Sequence, residues 1–408
     1  MILLGLLACV ALFTATWLHR GGRAIVSRDS VQYWEIGRNV AEGDGFSYDG
    51  EPTRMRQPLY PLLIAASITL FGDRTLPVQI MQVAMALGIV LVAAGIAREA
   101  FGVTAAGFTG LIAGLYYPFP VLATEVRTES LYVLLVSLAL LFWVRAFRGS
   151  RLSDAAICGA FLALAVLTRS VAIIFIPLVP AALWWQLGRG RRGTLSTVST
   201  FAVACALLLP WAVRNHLALG EFSVMSNAGP ATLYCGLHPM ALTHWEDYMT
   251  AIEQTEEYRR LRGSDDYLDP DAGARFRGAA IERALRNPLR TLGQCIVKVP
   301  LAWSYAPGSR PLLERSALAF RLLQVPQVVF LALMVAGLTR APVQMRWTAL
   351  VLFVGVSLTI FLGTPTARYT VPFMPLGLVL AAVPVTNWLN RRLNAAETDT
   401  VNEDTGSR

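Results

Sequence analysis

Lysine is all but missing from this chain. Lys298 is the single one in 408 residues, and arginine carries nearly all of a positive balance that leaves a formal net charge of +8. Charge of either sign is scarce: 15% of residues are Asp, Glu, Lys or Arg, against about 25% in soluble domains. Beside 55% hydrophobic residues and a mean hydropathy of +0.50, that deficit excludes an ordinary soluble domain. Cysteine is sparse, with five, and no Cys-x-x-Cys or His/Cys spacing marks a metal site. The acids are too few and scattered to argue for a bound metal, and no cofactor is called for. The arginines lie at helix ends rather than in a basic stripe, which argues against nucleic acid as a partner. No internal repeat is visible.

What the chain does have is a series of apolar runs near the ~20 residues that cross a bilayer. They fall at 2–17, 76–97, 103–121, 130–147, 155–167, 171–187, 195–213, 317–338, 347–362 and 369–389. The expectation is an all-α polytopic membrane protein with about ten transmembrane helices. The first run lacks a basic leader and an Ala-x-Ala cleavage site, so it reads as a membrane helix rather than a signal peptide. Residues 58–71 are too short to span and read as an interfacial helix; so do residues 291–305, because Lys298 sits in their middle. The reading divides the chain into an N-terminal transmembrane module (1–213) with a first extracytoplasmic loop (20–57), an extracytoplasmic helical subdomain (214–306), C-terminal transmembrane helices (307–389) and a disordered cytoplasmic tail (390–408). Cys9, Cys158 and Cys205 read as small core residues; Cys235 and Cys295, both in the polar subdomain, are candidates for a disulfide.

Orientation follows from the short loops. One side collects Arg98, Arg145, Arg148, Arg151, Arg189, Arg191, Arg192, Arg340, Arg346, Arg391 and Arg392. The opposite short loops hold Arg127, Arg169 and Arg368. Both ends are therefore placed inside, residues around Gly190 inside, and those around Asp265 outside.

The 27–61 stretch is the polar exception among the apolar runs. It carries Asp29, Glu35, Asp44, Asp49 and Glu51 among arginines, two tight-turn clusters, Gly43-Asp44-Gly45 and Asp49-Gly50, and the aromatic residues Tyr33, Trp34, Phe46, Tyr48 and Tyr60. So many rings argue for a folded cap rather than a linker. On the same outer face lie Glu125, Arg127 and Glu129, then Arg169, Arg214 and Arg368. Carboxylates among single arginines at a membrane surface suit a phosphorylated, lipid-linked substrate: arginine forks hold phosphate oxygens, and a carboxylate takes a proton. Each has a plainer reading. Asp29 fits a helix cap, Arg127 and Arg169 fit snorkelling side chains, and Glu125 and Glu129 fit helix-flanking acids. His238 and His244 read as surface or packing residues, and Trp184-Trp185 as an interfacial anchor.

Taken in order, these blocks resemble the GT-C membrane glycosyltransferases, in the branch with protein O-mannosyltransferases and lipid A aminoarabinose transferases. The resemblance runs through Asp29 and Tyr33, Gly43 to Phe46, Arg56 to Pro61, Glu125 to Glu129, Leu167 to Arg169, Pro210 to Asn215, Leu233 to Gly236, and Arg368 to Pro375. The family pattern often has Asp-Glu where this chain has Asp29-Ser30. The resemblance implies a GT-C fold and an inverting transferase in a bacterial inner membrane, its active site facing the exterior. The implied partners are membrane lipids, a polyprenyl-phosphate sugar donor and a hydroxyl-bearing lipid, glycan or protein acceptor. Asp29 is then the base, with Arg56, Tyr60, Glu125, Arg127, Glu129, Arg169, Arg214, Arg368 and Tyr369 as substrate-binding candidates. The rival reading is a transporter or flippase for a lipid-linked sugar precursor, which expects repeats and ionisable groups near the midplane.

Overall fold

A computed structural model of the protein describes residues 1–149, 151–242, 248–263, 270–304 and 317–406. His244 and Asp265 lie outside the described residues. The described chain is almost wholly helical, as expected. Six helical segments are long and apolar enough to cross a membrane: Ile2–His19, Thr75–Phe101, Glu129–Gly149, Arg191–Leu219, Val343–Leu362 and Ala367–Arg392. Five shorter apolar helical segments accompany them: Leu59–Phe71, Val103–Leu115, Leu152–Val166, Ser170–Gln186 and Gln324–Arg340. Several expected spans are thus interrupted. The 103–121 run breaks at Tyr116 into Val103–Leu115 and Pro118–Leu122. The 171–187 run opens with a 3₁₀ turn, Ser170–Ile174, and the 369–389 run with another, Ala367–Phe373. The last helix, Met374–Gly406, covers most of the segment expected to be a disordered tail.

The first helix, α1 (Ile2–His19), packs on α5 (Val103–Leu115). Their backbones touch because Gly5 meets Gly110 and Gly114, and a Cβ at Gly5 or Gly114 would collide with the facing carbonyl. This small-residue seam is how membrane helices approach closely where no hydrophobic gain drives them together.

The 20–57 loop is folded, as its aromatic content predicts. It opens with α2 (Arg28–Glu42), whose N-cap is Ser27, its hydroxyl accepting from the Ser30 amide at 3.2 Å. Gly43 ends it in the left-handed region at φ 96°. The inner face of α2 buries Gln32, Tyr33, Trp34 and Ile36, partly against α3 (Leu59–Phe71), where Gly37 leaves room for Ile64. Asp73 fastens the same helix, accepting from Trp34 Nε1 at 2.9 Å and from Arg38 at 2.6 Å. Beyond it, Ser47–Tyr48 and Glu51–Pro52 form a two-stranded antiparallel hairpin turning on Asp49 and Gly50. Both turn residues have positive φ (51° and 79°), which this tight turn requires.

Among the contacts of this loop and the start of α3 with the rest of the chain, two backbone hydrogen bonds set the position of the site. Leu59 N donates to Leu167 O at 2.9 Å, and Val126 N donates to Ala24 O at 2.9 Å. The first sets the Arg56 region against the end of α8 (Leu152–Val166), next to Arg169. The second sets the start of the loop against the 123–127 turn that precedes α7 (Glu129–Gly149).

A second, smaller hydrophobic cluster lies in the polar part of the chain, around Tyr234, Tyr258 and Phe276. Cys235 and Cys295 both belong to it, buried and free. The disulfide considered from the sequence is therefore absent: both thiols serve as small apolar packing residues in one core.

Candidate active site

Asp29 stands in the first turn of α2. Ser27, not Asp29, caps that helix, which leaves the Asp29 carboxylate to face outward from it. Oδ1 accepts from Arg56 Nη2 at 2.5 Å, and Oδ2 lies 3.9 Å from Arg368 Nη2. Arg56 is held in turn by Gln32, whose Oε1 accepts from its Nε at 3.0 Å and also from Nη2. Its guanidinium lies over the Tyr33 ring, 4.9 Å from the centroid, an arrangement that favours a cation. Gln32 and Tyr33 are neighbours on α2, so one helix supplies both Asp29 and the cradle for its partner.

Arg368 links this pair to a second carboxylate. Its Nη1 lies 3.7 Å from Glu129 Oε1, while Arg169 Nη1 donates to the same oxygen at 3.0 Å. Glu129 begins α7 and is buried; Arg169 immediately precedes a 3₁₀ turn and Arg368 lies within another, each interrupting an apolar run. Those interruptions give the two arginines their position: a continuous helix would carry them off at helical pitch. The Tyr369 ring sits between them, 5.1 Å from the Arg169 guanidinium carbon and 5.6 Å from that of Arg368. Arg368 Nε is buried and has no hydrogen-bond partner among the described residues.

Glu125 forms a third acidic point, paired with Arg127 Nε at 2.7 Å and with Arg20. Gln82, on α4 (Thr75–Phe101), shapes this turn from beneath. Its Nε2 donates to Ala123 O at 2.8 Å and Glu125 O at 2.7 Å, and its Oε1 accepts from Tyr60 Oη at 2.5 Å. Gln79, one turn earlier, donates to Thr124 O at 2.7 Å. In all, five arginines surround three carboxylates. That surplus of positive charge is suited to phosphate. Burial alone would raise the Asp29 carboxyl, but Arg56 and Arg368, with Arg127 further off, outweigh it and hold Asp29 well below the usual carboxylate range. Among the described residues, no group of three or more His, Cys, Asp or Glu side chains is placed to hold a metal ion.

The structure therefore brings together Asp29, Arg56, Glu129, Arg169, Arg368 and Tyr369, with Glu125 and Arg127 alongside. Two expected members stand apart. Tyr60 is fully buried beneath the site, its hydroxyl on Gln82 and its ring edge-on to Tyr33 at 5.3 Å. Arg214 spends its donors on loop carbonyls, Thr53 O and Phe46 O, each at 2.7 Å, with its guanidinium over Phe46 and Trp211. It thus clasps the first loop. Sequence reasoning passed over Gln32, Gln79, Gln82 and Arg20. Two amides three residues apart inside an apolar run were the available signal, since such groups in a span need partners.

Residues 52–214 match the family described as dolichyl-phosphate-mannose-protein mannosyltransferase. No curated protein matches the chain. Among solved structures, the apo oligosaccharyltransferase of Archaeoglobus fulgidus aligns with a TM-score of 0.58 at 14% identity, covering 97% of this chain and 51% of that one. AglB from the same organism, in complex with an inhibitory peptide and a dolichol-phosphate, aligns at 0.54 and 14% identity, covering 96% and 52%. ArnT from Cupriavidus metallidurans bound to undecaprenyl phosphate aligns at 0.47 and 18% identity, covering 93% and 76%. The chain spans about half the length of the archaeal oligosaccharyltransferase it matches. What it shares with that protein is the fold, which is of the GT-C type.

Proposed function

We propose that this GT-C fold carries a membrane glycosyltransferase with its active site at Asp29. The donor is a sugar on a polyprenyl phosphate, the acceptor a hydroxyl of a lipid, glycan or protein, and the reaction face is the outer one. The observation that carries the reading is convergence. Asp29, Arg56, Glu129, Arg169 and Arg368 come from five separate stretches of sequence and meet in one charged cluster. The matched family is described by a dolichyl-phosphate sugar, and a structural neighbour carries a dolichol-phosphate. Both support a lipid phosphate as the group that the arginines receive.

The residues account for an in-line displacement. The donor phosphate enters on Arg368, whose Nε has no partner among the described residues, with Arg169 behind it and Arg56 on the Asp29 side. Contact with phosphate draws the guanidiniums from Asp29, and its carboxylate becomes more basic. Asp29 then takes the proton of the acceptor hydroxyl as that oxygen attacks the anomeric carbon. The bond from that carbon to the phosphate oxygen breaks, with inversion, and the departing lipid phosphate gains charge where the arginines stand.

A deletion strain tests the reading, with mass spectrometry of its envelope glycans and lipid-linked sugars. The expected result is one glycan lacking a sugar, sugar-bearing polyprenyl phosphate accumulating in the outer leaflet, and no rescue by Asp29→Asn. Unchanged glycans, or rescue by Asp29→Asn, would overturn it; a precursor trapped in the inner leaflet would identify a flippase.

A further inference from the structure

Lys298, the one lysine of the chain, lies on α15 (Pro288–Ser304) with no exposed surface at all. An ammonium is costly to bury, so its partners define its purpose. Nζ donates to Gly236 O at 3.0 Å and to Gly363 O at 2.9 Å. Gly236 is the last residue of α11 (Gly229–Gly236), and Gly363 is the C-cap of the helix Val343–Leu362. Two helix C-termini therefore meet at one cation. Each end carries orphan carbonyls and a partial negative charge, and bringing two together is repulsive unless a positive group lies between them. The approach is close: a Cβ at Gly236 would run into Gly363 O and come within 2.6 Å of Leu362 O. Burial lowers the Lys298 pKa to about 8, so the ammonium persists at neutral pH.

Gly363 opens the segment that leads to Arg368. Thr364 and Thr366 are joined at 3.3 Å, and Tyr369 N donates to Thr366 O at 3.0 Å. On the far side of Arg368, α15 touches the same stretch again: Trp303 meets Phe373 edge-on at 5.2 Å. Trp303 also donates to Ser357 Oγ at 3.4 Å. One helix thus holds the chain before and after Arg368. The outward side of α15 exposes Leu289, Leu292, Ile296 and Val297.

We propose that Lys298 is a positioning residue: by fastening Gly236 to Gly363 it fixes the 363–369 segment and so places Arg368 for the donor phosphate. This rests on the donor reading above, and the test separates the two. The full-length protein in nanodiscs is compared as wild type, Lys298→Met, which keeps the volume without the charge, and Gly236→Ala, which leaves Lys298 in place and pushes Gly363 away. Hydrogen exchange reads the segment directly. Amides 363–370 should exchange about tenfold or more faster in both variants, with those of 129–145 unchanged. Undecaprenyl phosphate and undecaprenol are then compared as ligands. In the wild type the phosphate should add affinity. Lys298→Met should lose about tenfold of that increment, on the scale of one charge-assisted hydrogen bond, while undecaprenol binds as before. Arg368→Ala should lose the same increment, and combining it with Lys298→Met should cost nothing more.

Unchanged exchange at 363–370 overturns the proposal, and so do losses from Lys298→Met and Arg368→Ala that add. A wild type that does not distinguish phosphate from alcohol sinks the donor reading instead, and the exchange result alone then decides the positioning role. Should Lys298→Met fail to fold, Gly236→Ala carries both measurements.

Discussion

The carboxylate of Asp29 and the guanidinium of Arg56 meet at 2.5 Å across 27 residues of sequence. A strand, a turn or a cap does not bring them together; α2 and the stretch before α3 do. Gln32, three residues after Asp29, holds the Arg56 side of the pair. A carboxylate so paired is a poor base, because the arginine charges stabilise its ionised form. The resting cluster is therefore a guarded one, and under the proposed function an incoming phosphate is the group able to compete for the arginines.

Asp29→Asn removes the proton acceptor at nearly constant size. Ser27 still caps α2, and Trp34 and Arg38 still bind Asp73, so the helical content and the first loop should survive. Transfer should fall by about 10²–10⁴-fold, the contribution of a general base. Near-normal turnover in this variant would move the base to another residue.

Asp29 also links stability to pH. Its folded pKa is depressed by Arg56 and Arg368 in spite of burial, whereas in the unfolded chain it titrates near ~3.9. The unfolded state therefore binds more protons in acid. The stabilisation is complete above the unfolded value and declines as pH falls below it. Thermal unfolding in detergent from neutral pH into acid should show a flatter acid limb for Asp29→Asn than for the wild type. Parallel limbs would mean that the ion pair contributes nothing.

Much of this site was legible in the sequence, and for one reason. Glu129, Arg169 and Arg368 are charged residues at the ends of apolar runs, where a charge without a partner is expensive; Asp29, in the polar first loop, read as a helix cap until the family resemblance singled it out. The same reasoning could not sort Arg214 from them, because an arginine that clasps loop carbonyls and one that pairs with a carboxylate look alike at a helix end. Gln79 and Gln82 escaped because a neutral amide barely dents an apolar run. The first loop was legible through its rings and its Asp49-Gly50 turn. The break at Tyr116 was not, because two short apolar pieces read as one span until tertiary contacts divide them; among the described residues six helices, against ten expected crossings, are long and apolar enough to cross a membrane.

Gln82→Leu should show how much the site depends on its floor. The change strands Tyr60 Oη, which is fully buried, and leaves the Ala123 and Glu125 carbonyls without their amide donor. Each such group costs about 1–3 kcal/mol, so a loss of at least ~2 kcal/mol is expected, with faster hydrogen exchange over residues 123–129. An unfolding midpoint within error of the wild type would show that water takes the place of the amide and that the turn is held by Arg20 and Arg127 instead.

Arg368 offers the sharpest contrast between charge and shape. Its two Nη atoms reach carboxylates on different elements, 3.9 Å to Asp29 and 3.7 Å to Glu129, while Nε has no hydrogen-bond partner among the described residues. A planar fork with a third donor can bridge two acids and still meet an anion; an ammonium on a flexible stem cannot. Arg368→Ala should therefore weaken binding of the lipid phosphate by roughly tenfold or more. It should slow transfer further at saturating donor, because charge grows on the departing phosphate in the transition state. Arg368→Lys should recover part of the binding and little of the rate. If the lysine variant instead restores turnover with binding, a positive charge alone suffices there and the bridging geometry is incidental. Full turnover by Arg368→Ala at saturating donor would remove the residue from the reaction and leave Arg169 and Arg56 to hold the leaving group.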